Sequence, residues 1–459
     1  MRTRSPDSAL LAAEIRVTST LAMIFGLRML GLFLLLPVFS VLGGDLEGST
    51  PALIGTAIGI YGLFQALLQI PFGMLSDRIG RRPVILAGLV LFVAGGAVAA
   101  LSDHIVGVII GRALQGAGAI AGVIMALVGD TVSDQRRTRA MALIGMSVGG
   151  AFVLALVVGP LLARGLGLSG LFWAITGLGA MALLVAWWRV PGPAMLASHA
   201  AMRSPLSLWQ LATHAHLWRL HLSIFVLHLA MTATFVVLPL MLREQLGLSL
   251  SSHSLLYLLV MLGGVLGMVP LVIRADRHKA VPVLAIGVAL LALAQVLLAL
   301  SVETLWWYVV ALLVFFTAFN LLEALLPSLV GRAIPAGTRG AAMGVYSSSQ
   351  FLGVFIGGQL GGWLLGAGGG ELALWLVAGT VAVWGVLLLG MRELPKLESR
   401  VVSLVAGSQP PDMGQVLQIT GVVEGVLVPE DGILVLKIDT QKLDENALNE
   451  WLGSRAQAV

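Results

Sequence analysis

From Val281 to Leu300 the chain runs twenty residues without a charged side chain, and comparable runs recur about a dozen times along it. A helix needs roughly 20 apolar residues to cross a bilayer. In hydrocarbon every backbone N–H and C=O must be satisfied within the protein, so long apolar runs fold as bundled helices. Of the 459 residues 58% are hydrophobic and only 11% charged, against about 25% charged in a soluble globular domain. This is the composition of an integral membrane protein. The net charge of +4 is accounted for by loop arginines and does not call for a nucleic-acid partner. There is no cysteine, so disulfide and thiol chemistry are excluded. The first apolar run is too long for a signal-peptide core and is read as a retained span.

Six helices are expected at about 18–42, 52–76, 83–102, 105–129, 138–163 and 168–189, and six more at about 217–242, 253–274, 281–300, 304–331, 339–366 and 371–391. The organisation this implies is residues 1–190 as a first six-helix bundle and 191–216 as a polar linker with Pro191, Pro193 and Pro205. Residues 217–392 then form a second bundle, and 400–459 a soluble tail. Loops after even-numbered spans hold Arg78, Arg81, Arg82, Arg136, Arg137, Arg139, Arg189, Arg203, Arg274, Arg277, Lys279, Arg332 and Arg339. The other loops hold little that is basic beyond Arg164 and Arg243, while the acids Asp45, Glu47, Asp103, Glu303 and Glu371 fall there. By the positive-inside rule both termini are expected in the cytoplasm, with the bundle in a bacterial inner membrane. Asp77-Arg78 recurs as Asp276-Arg277, and Arg139-Ala140-Met141 as Arg339-Gly340-Ala341, at nearly one offset. Two pseudo-symmetric halves are the expectation.

The junction of spans 2 and 3, Gly73 to Arg82, places Asp77 among Arg78, Arg81 and Arg82 at the end of an apolar run, where charges need partners. Gly73 and Asp77 share a helical face. A glycine there admits a second helix, whose positive N-terminus the carboxylate can then face, a contact worth about 0.3–2 kcal/mol. The start of span 11, near Arg339 and Gly340, is the expected partner, and by symmetry Asp276 faces the start of span 5. The alternative is a solvated loop. Asp130, closing span 4 on the same side, is expected to pair with Arg78 or Arg81.

Gly73-x-Leu75-x-Asp77-Arg78-x-Gly80-Arg81-Arg82 resembles the loop signature that major facilitator superfamily transporters carry between spans 2 and 3. The resemblance implies an all-α membrane fold of twelve helices in two six-helix bundles. Gly111-Arg112-Ala113-Leu114-Gln115-Gly116 is similar to the family's span-4 motif, whose arginine is linked to proton transfer; a snorkelling arginine is the plainer reading. Gly145, Gly149, Gly150, Gly159 and Pro160 on span 5 match the antiporter signature in part, with Gly150-Ala151 where its central Gly-Pro stands. On residues alone they read equally as generic small-residue packing.

Ionisable groups inside spans are the strongest pointers to function, since each costs on the order of 2.5–3.5 kcal/mol against lipid when charged. Arg28 lies in span 1, His228 in span 7 and Glu323 in span 10. In the superfamily those three spans line the central cavity. Glu323 is the first candidate for exchanging a proton and His228 the second, with Arg28 and Arg112 tuning them. The alternatives are a static pair for Glu323 and a satisfied polar contact for His228; His221 is read as interfacial. Asn320 and Pro327 share a face with Glu323. Tyr61, Gln65 and Gln69 on span 2, with Gln350 and Gln359 on span 11, line a substrate path or bond across helices.

Beyond Arg392 the composition changes. Strands are expected at 401–406, 422–428 and 433–438, a short helix at 411–420, a turn at Pro429–Gly432, and a last helix capped by Asp444 with Leu448, Trp451 and Leu452 on one face. The order βαββα is a ferredoxin-like fold short of its last strand, a small α+β domain. Together with Ala318–Leu329 and Gln350–Gly353, it makes the chain resemble the YajR-like transporters, proton-driven members of the drug-antiporter branch. The reading is a secondary active transporter that exports a small apolar or amphipathic compound in exchange for protons. A metabolite uniporter or symporter, and a membrane sensor signalling through the tail, stand as alternatives. No nucleophile–base pair, phosphate loop or metal-ligand set is seen, so neither an enzyme nor a cofactor is expected. The partners are a small-molecule substrate, protons and lipid; what the tail binds is unknown.

Overall fold

The computed structural model describes residues 6–132, 134–192, 207–215, 217–277, 279–300, 302–334, 339–391, 393, 397–403, 413–428, 433–439 and 442–453. Most of the linker, including Pro193, Pro205 and Arg203, lies outside them, as do Pro410, Pro411 and the turn at 429–432.

Ten helices among the described residues are long and apolar enough to cross a membrane, and two of them are long enough to cross twice. The elements are α1 (Pro6–Phe33), α2 (Phe39–Leu42), α3 (Pro51–Ile79), α4 (Arg81–Ala100), α5 (Ile105–Ala117), α6 (Ala121–Thr131) and α7 (Asp134–Arg189). After α8 (Leu208–Thr213) come α9 (Trp218–Glu244), α10 (Leu250–Arg277), α11 (Ala280–Ala299), α12 (Leu305–Ala333) and α13 (Arg339–Leu388). α7 supplies spans 5 and 6 through a kink at Gly167 (φ 65°), and α13 supplies spans 11 and 12 through Gly368 and Gly369 (φ 82°). The expected gaps between those spans are therefore kinks, made at Gly167 and Gly369 by positive φ.

Two spans are broken where continuous helix was expected. Span 1 starts well before residue 18 and stops at Phe33; the chain turns through Leu34–Val38, which contains Pro37, before α2. Proline cannot donate to the helix ladder, and the break follows. Span 4 is split between α5 and α6 at Gly118–Ile120. The linker holds α8, closed by a reciprocal capping box between Ser207 and Gln210.

Helix ends are set by local chemistry. Thr50 caps α3, its hydroxyl accepting from Leu53 N–H with Pro51 in the first turn. Gly80 ends α3 at φ 95°, ψ 156°, which lets α4 begin one residue later. α9 is buried along almost its whole length, whereas α10 shows Leu255, Leu259, Leu262 and Leu266 to the outside, as a lipid-facing helix must.

The tail is a three-stranded antiparallel sheet, β1 (Leu397–Ser403), β2 (Val422–Val428) and β3 (Ile433–Asp439), in the order β1-β3-β2, with α14 (Met413–Val416) and α15 (Glu445–Leu452). β1 starts four residues earlier than the composition suggested, because its register on β3 runs from Leu397 opposite Asp439 to Ser403 opposite Ile433. α14 occupies one turn of the expected 411–420 helix. Asp444 caps α15 as expected, accepting from Ala447 N–H at 3.0 Å.

Candidate functional site

The arginine-bearing loops lie at one end of the bundle, hereafter the arginine end. At the opposite end α3 and α13 touch backbone to backbone. A Cβ placed on Gly59 would stand 2.7 Å from the Phe355 carbonyl oxygen, and one on Gly55 would stand 2.8 Å from Gly362 Cα. The two helices diverge toward the arginine end: Ser348 Oγ still reaches Ala66 O at 3.2 Å, a Cβ on Gly344 would come no nearer than 4.0 Å to Ile70, and one on Gly73 would meet nothing within 4 Å. Gly145, Gly149 and Gly150 of α7 likewise face open space. The bundle is closed at the opposite end and open between its halves toward the arginines.

Inside that opening stands a cluster from three helices. Glu323 (α12) has its Oε2 3.8 Å from His228 Nε2 (α9), and the same His228 nitrogen lies 2.7 Å from Gln350 Nε2 (α13). His228 Nδ1 is 3.2 Å from the Ile224 carbonyl, which only accepts, so Nδ1 carries the proton. Nε2 of the neutral ring then accepts from the Gln350 amide. The Glu323 side chain is 40% exposed, yet its Oε2 is enclosed with no hydrogen-bond partner. One carboxylate oxygen thus faces an imidazole nitrogen just beyond hydrogen-bond range, an arrangement able to take up a proton and close the gap. Asn320, one turn earlier, gives its amide to Met261 Sδ of α10 at 3.5 Å. His221, in the first turn of α9, is buried beside Tyr346 (ring centroids 6.4 Å).

A plug of aromatic rings lies beyond Glu323 toward the opposite end. Phe152 of α7 meets Phe235 of α9 (6.4 Å) and Phe319 of α12 (5.9 Å), while Phe319 stacks on Phe315 and edges His228 at 5.9 Å. These rings join both halves. Sequence reasoning passed over Phe152 and Phe235; the one signal for Phe319 was its position a helical turn before Glu323.

The arginines expected to tune the proton site sit elsewhere. Arg28 is fully buried within the first half, giving Nη2 hydrogen bonds to Gln65 Oε1 (2.7 Å) and to Gly118 O (2.9 Å), a carbonyl at the span-4 break. Arg112 bonds Gln115 Oε1 (2.9 Å) and Ala57 O (3.3 Å). Both guanidinium carbons lie over the Tyr61 ring, at 5.6 and 5.1 Å, and Arg28 also faces Phe92. Tyr61 and Gln65 are therefore fully buried in this conformation, Tyr61 also meeting Phe351 of α13 (ring centroids 6.3 Å). Gln65 continues the network to Gln69 at 3.1 Å, and Gln359 bonds Thr56 at 2.5 Å.

At the arginine end Arg81 is the hub of the Gly73–Arg82 stretch. Its side chain, 8% exposed, gives Nε to Asp130 Oδ2 at 2.8 Å and Nη1 to Asp77 and to Ser76 Oγ (2.6 Å). Asp77 turns back onto its own loop, where it pairs with Arg81. Arg78 is exposed, and Arg82 gives Nη2 to Trp187 O at 2.6 Å while stacking on that ring. Among the described residues nothing stands within 4 Å of a Cβ placed on Gly73, Gly145 or Gly149, so the close packing expected there is not seen among them. Gly159 does pack, its Cβ position 2.7 Å from Leu34 O at the span-1 break, with Pro160 following it inside α7. Among the described residues no group of three metal-ligating side chains occurs.

The family model described as Major Facilitator Superfamily matches residues 21–220 and 220–418. The chain is 42% identical over 442 residues to the inner membrane transport protein YajR of Escherichia coli K12, covering 95% of this chain and 96% of that one. It is 28% identical over 221 residues to the multidrug resistance protein MdtL of Klebsiella pneumoniae, 45% of this chain and 54% of that one. The crystal structure of the human organic anion transporter MFSD10 shares the fold with a TM-score of 0.60 at 22% identity, over 82% of this chain and 99% of that one. Twelve crossings, the Gly73–Arg82 stretch and these matches lead to one conclusion: the chain is a multi-pass membrane transporter that belongs to the major facilitator superfamily.

Proposed function

We propose that this transporter exports a small apolar or amphipathic compound in exchange for protons by alternating access, with Glu323 as the proton carrier and His228 beside it. The observation that carries this reading is the Glu323–Oε2 to His228–Nε2 approach of 3.8 Å, placed where the opening ends and the Phe152–Phe235–Phe319 plug begins. A carboxyl so placed meets one side of the membrane at a time. The arginine end is taken as cytoplasmic by the positive-inside rule, which makes this conformation open to the cytoplasm and puts both termini there. The similarity to an inner membrane transport protein and to a multidrug resistance protein supports membrane and substrate class.

In this scheme residues 1–190 and 217–392 are the rocking halves, and 400–459 is a ferredoxin-like domain, a reading supported by the β1-β3-β2 order of the described strands. Asp77, Arg81 and Asp130 gate: in the alternate conformation the gap at Gly73 closes and Asp77 meets the positive end of α13. Arg28 and Arg112 hold the first half rigid around the span-4 break.

Proteoliposomes with an internal pH dye and an imposed proton gradient test this, using hydrophobic cations, amphipathic drugs and small metabolites. The expected result is substrate-dependent proton movement that is lost in Glu323→Gln. Movement that survives in Glu323→Gln but not in His228→Gln moves the carrier to His228. Substrate accumulation on the same side as the protons makes the protein a symporter, and substrate flux indifferent to the gradient makes it a uniporter.

A further inference from the structure

The tail's sheet has two faces, and its own helices cover only one. Leu434, Leu436 and Ile438 of β3 pack with Val402, Val416, Val422, Leu448 and Leu452. The alternate residues of that strand, Val435, Lys437 and Asp439, point to the other face. They are nevertheless only 4, 4 and 6% exposed. Lys437 Nζ gives a hydrogen bond to Arg332 O at 2.9 Å and a second, short one to Ile334 O. Those carbonyls stand at the end of α12, among the groups that a helix leaves without acceptor roles inside itself. An ammonium belongs there, because the helix dipole makes that end negative.

The root of the tail is tied in the complementary way. Glu393 accepts hydrogen bonds from the backbone N–H of Ala280 (2.7 Å) and Val281 (3.2 Å), the first residues of α11. An acid caps one helix start, a base caps one helix end, and both helices belong to the second half. A buried ammonium without partners is costly, so Lys437 is held where those carbonyls are.

We propose that the helix-free face of this sheet is a docking surface whose partner is the end of α12, with Lys437 as the anchor. The small domain then moves as one body with the second half and steadies the last turn of the helix that carries Glu323, about 14 Å along the axis. The proposal requires nothing of substrate or protons.

Amide hydrogen exchange on the full chain in lipid nanodiscs tests it, comparing the wild type with Lys437→Met. Methionine keeps the length and apolar stem on a face outside the tail's own core. The expected result is exchange in the last turn of α12 on the order of tenfold faster, with β2 and β3 unchanged. An unchanged last turn overturns the proposal, whatever the tail does. Should the tail itself loosen, Lys437→Arg decides: a cation that restores protection to the last turn supports the anchor, and one that does not restore it overturns it.

Discussion

Replacing Gly55 by alanine should drive the transporter out of the conformation described above. The added Cβ would fall inside contact distance of the Gly358 carbonyl oxygen and 2.8 Å from Gly362 Cα, against 3.4–4 Å for ordinary contact. Both neighbours are backbone atoms of α13, so no side chain can rotate away. The helices must separate by more than half an ångström at their closest point, and overpacking of this kind costs about 1–3 kcal/mol. A conformation in which α3 and α13 part at this end escapes that cost. Two kcal/mol would change the ratio of the two conformations by about thirtyfold. Because the chain has no cysteine, spin labels at Leu101→Cys and Leu300→Cys, on loops of the two halves at the closed end, report the separation directly. Gly55→Ala should lengthen that distance. Gly73→Ala, whose Cβ meets nothing here, should leave this conformation uncharged for the substitution and shift the ratio the other way if the gap at Gly73 closes in the alternate state. Equal distances in wild type and a folded Gly55→Ala variant would refute the reasoning, since the contact would then not hold this end shut.

Further outcomes follow from the site and the tail. In the proteoliposome assay Glu323→Gln should abolish substrate-coupled proton movement while substrate binding persists. Arg81→Met should cost about 1–3 kcal/mol, because it strands Asp130 and Asp77 together, and should lower the melting temperature by several degrees in detergent; Arg78→Met, at an exposed position, should leave it unchanged. In the tail, hydrogen bonds from Arg400 (2.9 and 2.7 Å) hold the Glu445 carboxyl below its ordinary value. A depressed carboxyl stabilises above the unfolded value of about 4.3, and the contribution disappears as pH falls through the lower folded value. The pair is exposed, so the effect is small: α15 amides should exchange slightly faster in Glu445→Gln at pH 7, and the difference should vanish in acid.

Much of the fold was legible in the chain because its causes are local. Run length decides whether a helix spans, and arginine placement decides which loops share a side; both are one-dimensional properties. Thr50-Pro51, Gly80 and Asp444 mark helix ends through chemistry within a few residues. The Gly73–Arg82 stretch identifies the family because its charges sit where a bilayer tolerates few. Even the β, α, β, β, α succession of the tail was legible in its alternation of β-rich and helical segments, though the order β1-β3-β2 within the sheet was not.

Which faces meet was not legible, and the reason is the solvent. Lipid is as apolar as Leu, so a span is hydrophobic all round and periodicity does not tell the inside of a bundle from its outside. Arg28 read as a cavity residue because it lay in span 1, yet its azimuth sends it to Gln65 and Gly118 inside the first half. Phe152 and Phe235 are ordinary apolar residues until two halves bring them together. Gly55 and Gly73 look alike in sequence; one is pressed against α13 and the other faces open space, because the helices cross and diverge. Nothing in the sequence singles out Lys437 within its strand; its ammonium meets the carbonyls at the end of α12 only in the folded protein. The sequence by itself determined the number of spans, which loops share an end of the bundle, and the family, through run length, charge placement and the Gly73–Arg82 stretch. The tertiary structure decided depth, facing and conformation, which arise from contacts between segments far apart in the chain that hydrophobicity does not mark.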